Sequence, residues 1–328
     1  MKRTLLILSC VLLSGAARAI DDNTVEIYYE GASATITVAS NISSYVTVTS
    51  GTSSHVNIVQ SESFAGVDAT ADNEDGEITY SLSGISSDGE FVLVGSYKCT
   101  VELNGVSLTN PGETPAINIK NGKRVAVSAK KDKVNTLTDA ATDTLSGCLQ
   151  CKGHLKMKGK GTLNIYANGK HGIYSKEYLE VKNLTLNIMS APKDGLHCKN
   201  YFLMESGKVN ISGAQDDGIQ VEIEGTEPTV ETVEHEDEDS GNFYQEGGTL
   251  TISGYEGKAV KADGSINFSG GTQAFDANDT EEYADVDMLR EKETQDARAV
   301  EGTFDLTGKR VAAGQRGIVI REGKIIWQ

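Results

Sequence analysis

Hydrophobic and polar residues alternate through most of the chain, and the alternating stretches repeat one another. Four strings align without gaps: GTLNIYANGKHGIYSK, LTLNIMSAPKDGLHCK, GKVNISGAQDDGIQVE and GTLTISGYEGKAVKAD. Successive strings are offset by 23, 23 and 41 residues, so 18 extra residues enter before the last one. Their inward columns are Leu163, Leu186, Val209 and Leu250; Ile165, Ile188, Ile211 and Ile252; Ile173, Leu196, Ile219 and Val260; and Ser175, Cys198, Val221 and Ala262. A period of two predicts β-strands, and self-similarity at a fixed spacing predicts stacked repeats.

Each repeat of 23 residues holds three short strands separated by turns, which is about the chain length of one coil of a parallel β-helix. Equivalent residues on successive coils would stack at a strand spacing of about 4.8 Å, and no coil could bury its apolar side alone. The pattern continues upstream with looser spacing, through strands such as ITYSL and EFVLV. We therefore predict an all-β fold, a parallel β-helix of roughly seven coils over residues 78–275.

The segments outside the repeats have other compositions. Residues 20–77 contain alternating strands that do not share the register, and they predict an N-terminal β cap over the first coil. Residues 222–242 form an acidic insert. Residues 276–301 are acidic and poor in apolar residues, which predicts a linker or a short capping helix. Residues 302–328 return to strand character and predict a small C-terminal β module.

The start of the chain predicts export. Lys2 and Arg3 precede the apolar run TLLILSCVLLSGA, and Ala17-Arg18-Ala19 has the small-x-small pattern of a cleavage site. The apolar run is too short to span a bilayer, and no later stretch is longer. We therefore predict a signal peptide at residues 1–19 and a protein that is secreted or held at the cell surface.

The charge balance excludes two classes of partner. The chain has 47 acidic and 30 basic residues, a formal net charge of −17. Such an excess of negative charge repels nucleic acid and anionic lipid. We expect neither of them as a partner.

Three carboxylates share one position of the repeat. Asp194 and Asp217 are 23 residues apart in a single column, and Asp216 lies next to Asp217. Stacked carboxylates raise one another's pKa or require a cation, and oxygen ligands suit Ca²⁺ rather than zinc. We therefore predict a Ca²⁺ site at Asp194, Asp216 and Asp217. The alternative is a solvated ladder of salt bridges, with Lys193 and Lys258 as the neutralising cations.

Lysines follow the next strand of three consecutive repeats. Lys152, Lys176 and Lys199 would stack without an interleaved acid, and Tyr174 and His197 would lie on the same face. An anionic polymer across the repeats would relieve the repulsion among the lysines, and the tyrosine could stack on a sugar ring. These five residues are the predicted carbohydrate-binding set, with an acidic polysaccharide as the partner. The alternative is that long lysine side chains spread apart into water and that an exposed tyrosine is ordinary on a strand.

The cysteines and the search for catalytic motifs add little to the prediction of function. Cys151 and Cys198 share an inward column two repeats apart, which is too far for a disulfide, so the thiols are predicted to be buried and free. The chain has no G-x-S-x-G, H-E-x-x-H, P-loop or dinucleotide motif, and no catalytic residue is predicted. Asp216 and Asp217 could serve glycoside hydrolysis, although sequence neighbours rarely face each other across a bond.

Several stretches carry a family resemblance. ITYSLSG, YKCTVELNGVSL, PAINIKNGKRVAV, NTLTD, the GTLNI strands and the DDGI turn resemble bacterial carbohydrate-binding domain proteins of the β-helix type, which are similar to family 9 pectate lyases. The resemblance covers roughly residues 78–275. It implies a right-handed β-helix, Ca²⁺ binding and recognition of plant cell-wall polysaccharide such as polygalacturonate or cellulose. The tail from FDLTGKRV to GKII resembles the C-terminal tails of exported Bacteroidota-type surface proteins, which implies secretion or anchoring machinery as a partner.

Three functions remain open at this point. The first is an exported, calcium-assisted binding protein for acidic plant-type polysaccharide. The second is a calcium-dependent lyase, because in the related lyases aspartates on neighbouring coils hold calcium and a lysine is the base. Asp194, Asp216 and Asp217 followed by Lys258 match that order. The third is a structural surface or adhesion protein without affinity for glycans.

Overall fold

The computed structural model of the chain describes residues 20–223 and 240–276, and four short strands between residues 303 and 327. The predicted signal peptide, most of the acidic insert and nearly all of the acidic linker lie outside the described residues. The domain boundaries drawn from the sequence therefore stay a prediction. The described residues contain no helix that is long and apolar enough to cross a bilayer.

Alternating sequences form short strands throughout the described residues. Residues 20–138 contain β1 (Thr24–Glu30), β2 (Ser33–Val38), β3 (Val46–Val48), β4 (His55–Gln60), β5 (Ile78–Ser86), β6 (Glu90–Gly95), β7 (Cys99–Thr109), β8 (Ile117–Asn121), β9 (Val125–Ala129) and β10 (Val134–Thr138). A 3-10 helix spans Ser40–Ile42. Residues 147–222 contain β11 (Gly147–Cys151), β12 (Leu155–Gly159), β13 (Thr162–Tyr166), β14 (His171–Ser175), β15 (Leu179–Lys182), β16 (Thr185–Ser190), β17 (Leu196–Lys199), β18 (Tyr201–Met204), β19 (Lys208–Ser212) and β20 (Ile219–Glu222).

The remaining strands lie beyond the acidic insert. They are β21 (Asn242–Gln245), β22 (Thr249–Ser253), β23 (Val260–Ala262), β24 (Ile266–Phe268), β25 (Thr272–Phe275), β26 (Thr303–Phe304), β27 (Arg310–Val311), β28 (Ile318–Arg321) and β29 (Lys324–Trp327). The last four strands form an antiparallel sheet of their own in the order β27-β26-β28-β29.

Two extended sheets contain all the other strands. The larger sheet has 16 strands. They are the strands of the path β24-β21-β18-β15-β12-β9-β7-β10-β13-β16-β19-β22-β25 together with β1, β2 and β5, which pair beside that path. The smaller has nine strands in the order β23-β20-β17-β14-β11-β8-β6-β4-β3. Pairing within them is parallel except for β1 with β2 and β3 with β4. The register of the repeats is confirmed, because Leu163 pairs with Leu186, and Leu186 with Val209.

The prediction of a right-handed parallel β-helix of roughly seven coils is wrong. A coil with three strands calls for three separate ladders, whereas the strands form two extended, mostly parallel sheets. The physical reason lies in β7, which runs unbroken for 11 residues and pairs with β9 through its first half and with β10 through its second. A repeat period fixes which strands are neighbours, but the turns between strands decide how many sheets result.

The segment predicted as an N-terminal β cap pairs with the strands of the repeats. Residues 20–77 do not stand apart from the repeats, because β1 pairs in parallel with β5 and β4 pairs in parallel with β6. Both strands therefore continue the two sheets. Only β2 and β3 run antiparallel to their neighbours within this segment.

One continuous hydrophobic core joins residues from both sheets. The inward columns Leu163–Leu186–Val209–Leu250 and Ile173–Leu196–Ile219–Val260 are completely buried. The four cysteines between residues 99 and 198 are buried and free, which confirms the prediction for the thiols. The sheets thus hold each outer residue of a repeat directly beside its counterpart in the next.

Glycines mark the points where neighbouring repeats approach most closely. Gly172, Gly195 and Gly218 form a column at the start of β14, β17 and β20. A Cβ atom on Gly195 would lie 2.7 Å from the carbonyl oxygen of Gly218 and 2.6 Å from Cγ2 of Ile211. The clash with backbone cannot be relieved by a rotamer change, so the column requires glycine.

We expect Gly195→Ala to destabilise the protein by about 1–3 kcal/mol, because the added methyl group overpacks the contact between repeats. Denaturant unfolding followed by circular dichroism measures this change. Gly122→Ala is the matched control, since a Cβ atom there meets no atom within 4 Å. Equal stability of the two variants would contradict the role of the glycine column.

Candidate functional site

The chemistry of the site lies where four neighbouring strands of the nine-stranded sheet begin. β14, β17, β20 and β23 lie side by side, and His171, Asp194, Asp217 and Lys258 occupy one column at their starts. The glycine column follows directly after this one. Close packing of the backbones therefore holds the four residues at successive levels of the sheet.

The side chains of this column bind the backbone of the next repeat. The N–H of Asp217 donates to Oδ1 of Asp194 at 3.1 Å, and the N–H of Lys258 donates to Oδ1 of Asp217 at 2.6 Å. The N–H of Asp194 likewise donates to Nδ1 of His171 at 3.2 Å. Buried backbone N–H groups need acceptors, so these side chains stabilise the stacking of repeats in addition to any other role.

The structure brings the three aspartates of the candidate metal set together. Asp194, Asp216 and Asp217 each offer a carboxylate oxygen, and the three oxygens lie within 4.8 Å of one another. Asp194 and Asp217 are buried, whereas the side chain of Asp216 is 43% exposed. Only Asp216 is thus open to solvent, and the cluster is reached through it.

Two lysines lie against these carboxylates. Nζ of Lys193 is 3.4 Å from Oδ2 of Asp216, and Nζ of Lys261 is 3.2 Å from Oδ2 of Asp217. Burial raises the pKa of Asp217, although the N–H of Lys258 and the charge of Lys261 oppose it. Burial lowers the pKa of Lys261, but the Asp217 carboxylate outweighs it and raises that pKa on balance. Lys261 therefore has the neutralising role that was predicted for Lys258. Lys258 instead donates its backbone N–H to Asp217.

Two histidines contact Oδ2 of Asp194. Nδ1 of His197 is 2.7 Å from Oδ2 of Asp194, and Nδ1 of His171 is 3.2 Å from the same oxygen. Burial alone would raise the pKa of Asp194, but its interactions with the imidazoles of His171 and His197 outweigh it and hold that pKa well below its usual range. Burial lowers the pKa of His171. The Asp194 carboxylate is thus ionised between two imidazoles.

The five residues of the carbohydrate-binding set have different environments. Lys152 and Lys176 are exposed, and they follow Cys151 and Ser175, which pair across β11 and β14. Lys199 forms an ion pair with Glu222.

The two rings of this set lie closer to the protein interior. His197 is buried against Asp194. The ring of Tyr174 is half-buried, with its centroid 5.3 Å from that of His197 and 6.0 Å from that of His171. Lys152 and Lys176 are therefore exposed and Tyr174 is half-buried, and acidic side chains contact His197 and Lys199.

The sequence analysis missed three participants. Glu222 continues the lysine column in the next repeat and lies against both Lys199 and His197. His171 continues the aspartate column in the preceding repeat, and Lys261 lies on β23 beside Asp217. The repeat alignment contained the signal for all of them, because each occupies a position equivalent to a residue that was singled out.

A second pair of buried carboxyl groups lies outside this cluster. Asp139 and Asp143 are 2% and 5% exposed, between β10 and β11. Oδ1 of Asp139 accepts the N–H of Asn168 at 2.6 Å. Burial and, to a lesser extent, the neighbouring Asp143 carboxyl raise the pKa of Asp139 to about 6, although the N–H of Asn168 opposes them. Burial also raises the pKa of Asp143.

Comparison with known proteins finds one family and one solved structure. The family model described as "carbohydrate-binding domain-containing protein" matches residues 65–325. The polysaccharide lyase-like protein from C. thermocellum, solved as a gadolinium derivative, is 20% identical, with a TM-score of 0.55 over 77% of this chain and 94% of that chain. At this identity the similarity shows a shared fold. No curated protein matches the chain.

We expect Asp139→Asn to stabilise the protein at pH 8, to have a smaller effect at pH 5 and to have little effect below the unfolded pKa. The folded pKa of about 6 lies above the unfolded value of about 3.9, so the stability contributed by the protonated group is present below the unfolded pKa and is lost as the pH rises through 6. Asparagine is neutral and keeps an oxygen for the N–H of Asn168. Thermal melts should give an increase in Tm of a few degrees at pH 8, which is the shift expected when the free energy of unfolding rises by roughly 1 kcal/mol.

Asp132→Asn is the control, because its side chain is 84% exposed. A shift in Tm for Asp139→Asn that does not depend on pH would contradict the raised pKa.

Proposed function

The chain belongs to the carbohydrate-binding domain-containing protein family, and we propose that it binds an acidic polysaccharide of the polygalacturonate class with the help of Ca²⁺. In this proposal Asp194, Asp216 and Asp217 hold the ion. The observation that carries the proposal is the convergence of these three carboxylates, from two neighbouring repeats, within 4.8 Å of one another.

The donor set suits calcium. Ca²⁺ takes six to eight oxygen ligands at about 2.3–2.6 Å, and all three groups offer carboxylate oxygens. Oδ2 of Asp217 is buried and accepts no hydrogen bond of good geometry from the described residues, despite its ion-pair contact with Lys261. Lys193 and Lys261 are 56% and 48% exposed, so both ammonium groups can move into water when a cation binds. A bound Ca²⁺ would supply positive charge for the carboxylates of the polymer.

The exposed lysines extend the binding surface in this proposal. Lys152 and Lys176 offer positive charge on two successive repeats, and the outer edge of Tyr174 offers an apolar surface to a sugar ring. His197 and Lys199 act indirectly, because their partners Asp194 and Glu222 occupy them. The net charge of −17 would repel an anionic polymer elsewhere on the protein, so binding would concentrate at this surface.

The geometry favours binding over lyase chemistry. A lysine that abstracts a proton must be neutral, and the lysine against the buried Asp217 carboxylate is Lys261, whose pKa is raised on balance by Asp217. Lys258 binds Asp217 through its backbone. Unsaturated, ultraviolet-absorbing product from polygalacturonate would nevertheless identify a lyase, and its loss in Lys258→Ala would assign the base.

We expect the protein to be retarded in gels that contain polygalacturonate and millimolar calcium, and to migrate freely when a chelator is present. Asp216→Asn should weaken Ca²⁺ binding and retention by roughly tenfold, because it removes one of the three ligand charges. Asp216 is the aspartate to replace, because Asp194 and Asp217 also accept backbone N–H groups and their replacement would disturb the stacking of the repeats. Asp132→Asn is the control for charge at an exposed aspartate. Equal retention of both variants, or none for the wild-type protein, would contradict the proposal.

We also expect the double variant Lys152→Ala with Lys176→Ala to lose about threefold to tenfold in affinity, since exposed charge pairs contribute about 0.2–1 kcal/mol each. The salt dependence of binding should fall in parallel, because two charges no longer contribute. Lys131→Ala is the control, as this lysine is 72% exposed in the turn between β9 and β10. Affinity electrophoresis over a range of salt concentrations measures both effects, and an unchanged salt dependence would argue against the lysine surface.

A further inference from the structure

A second set of metal donors, two histidines, shares Asp194 with the carboxylate set. Nδ1 of His171 and Nδ1 of His197 are 3.2 Å and 2.7 Å from Oδ2 of Asp194. One donor atom from each of the three residues lies within 4.8 Å of the others. The side chains are 14%, 9% and 1% exposed for His171, His197 and Asp194 respectively, so the donors are fixed by packing rather than free in water.

The hydrogen bonds leave one acceptor facing another. The N–H of Asp194 donates to Nδ1 of His171, so that nitrogen carries no proton. Oδ2 of Asp194 faces the same nitrogen at 3.2 Å. An imidazole lone pair and a carboxylate lone pair at this distance attract a cation placed between them. A metal ion there would replace two hydrogen bonds: the one of 3.2 Å from the N–H of Asp194 to Nδ1 of His171, which is long for its type, and the one of 2.7 Å between Nδ1 of His197 and Oδ2 of Asp194.

The spacing of the donors fits a small transition metal. Zinc binds imidazole nitrogen and carboxylate oxygen at about 2.0–2.2 Å, so a tetrahedral site holds its ligand atoms about 3.3 Å apart. The observed 3.2 Å is close to this separation, whereas the observed 2.7 Å must widen by about 0.6 Å. Two nitrogens and one oxygen form a zinc-type donor set, whereas calcium selects oxygen alone.

The surroundings of His197 have the arrangement that supports a metal-bound histidine. Nε2 of His197 lies 3.4 Å from Oε2 of Glu222. Gln220 donates to the other oxygen of Glu222 at 2.8 Å, and Lys199 forms an ion pair with Glu222. When Nδ1 binds a metal, the single proton of the neutral ring moves to Nε2 and points at this carboxylate. A carboxylate that accepts the second N–H orients a ligating histidine and raises its basicity.

We propose that His171, Asp194 and His197 form a binding site for a divalent transition metal of the zinc class, distinct from the carboxylate set of Asp194, Asp216 and Asp217. Three protein ligands leave a fourth position for water or a ligand oxygen. The two sets share Asp194, so zinc at one and calcium at the other are coupled. The site does not depend on the proposed polysaccharide function.

Zinc titration of the full chain by isothermal calorimetry tests the proposal. We expect one saturable zinc site that loses about 100-fold or more in affinity in His197→Gln and in His171→Gln, each of which removes a ligand. His55→Gln is the matched control, since that histidine is 39% exposed and pairs with Asp88 and Glu90 away from the site. Circular dichroism checks that the variants fold. If His197→Gln fails to fold, the more exposed His171→Gln carries the test.

Nuclear magnetic resonance of the imidazoles gives an independent readout on the wild-type protein. Zinc should shift the ring signals of His171 and His197 and leave those of His55 and His154 in place. Asp216→Asn should keep zinc binding while it weakens calcium binding, so failure of the zinc site and failure of the calcium site are distinguishable. Zinc affinity that is unchanged in both histidine variants, or no saturable zinc binding to the folded protein, would overturn the proposal.

Discussion

The parallel pairing of each repeat with the next is the constraint on which the structure depends. Pairs such as Leu163 with Leu186 and Ile173 with Leu196 fix the register, and every side chain is then placed beside its counterpart 23 residues away. The backbones approach closely enough that Gly195 tolerates no Cβ atom. Any functional site on these sheets is therefore formed by residues of one column or of adjacent columns. Residues that are far apart in the chain can be direct neighbours in such a site.

The aspartate column combines a structural task with an electrostatic one. Asp194 and Asp217 each accept a backbone N–H of the following repeat, which stabilises the stack. Their remaining oxygens concentrate negative charge, and the two carboxyl groups respond differently. Histidines hold the pKa of Asp194 below its usual range, whereas burial raises that of Asp217. One oxygen of each carboxylate thus stabilises the stack, and the other oxygen suits a cation.

The sequence predicted the columns well, because an inward apolar position at a fixed period has one structural meaning. It therefore also brought Asp194 and Asp217 together. It could not predict that β7 runs unbroken and merges two ladders, since turn and continuous strand are equally compatible with the apolar pattern. The contact of His171 with Asp194 depends on side-chain rotamers, and the pairing of β1 with β5 joins segments that share no register. The pair of Asp139 and Asp143 lies in an irregular connection that no period describes.

The convergence of carboxylates from neighbouring repeats on one cation is the central claim. A crystal structure of the chain grown in millimolar calcium, with an anomalous difference map, tests it most directly. We expect an anomalous peak within about 2.3–2.6 Å of oxygens from Asp194, Asp216 and Asp217, with Nζ of Lys261 displaced toward solvent. A map without a peak at these carboxylates, with Lys261 still against Asp217, would contradict the account.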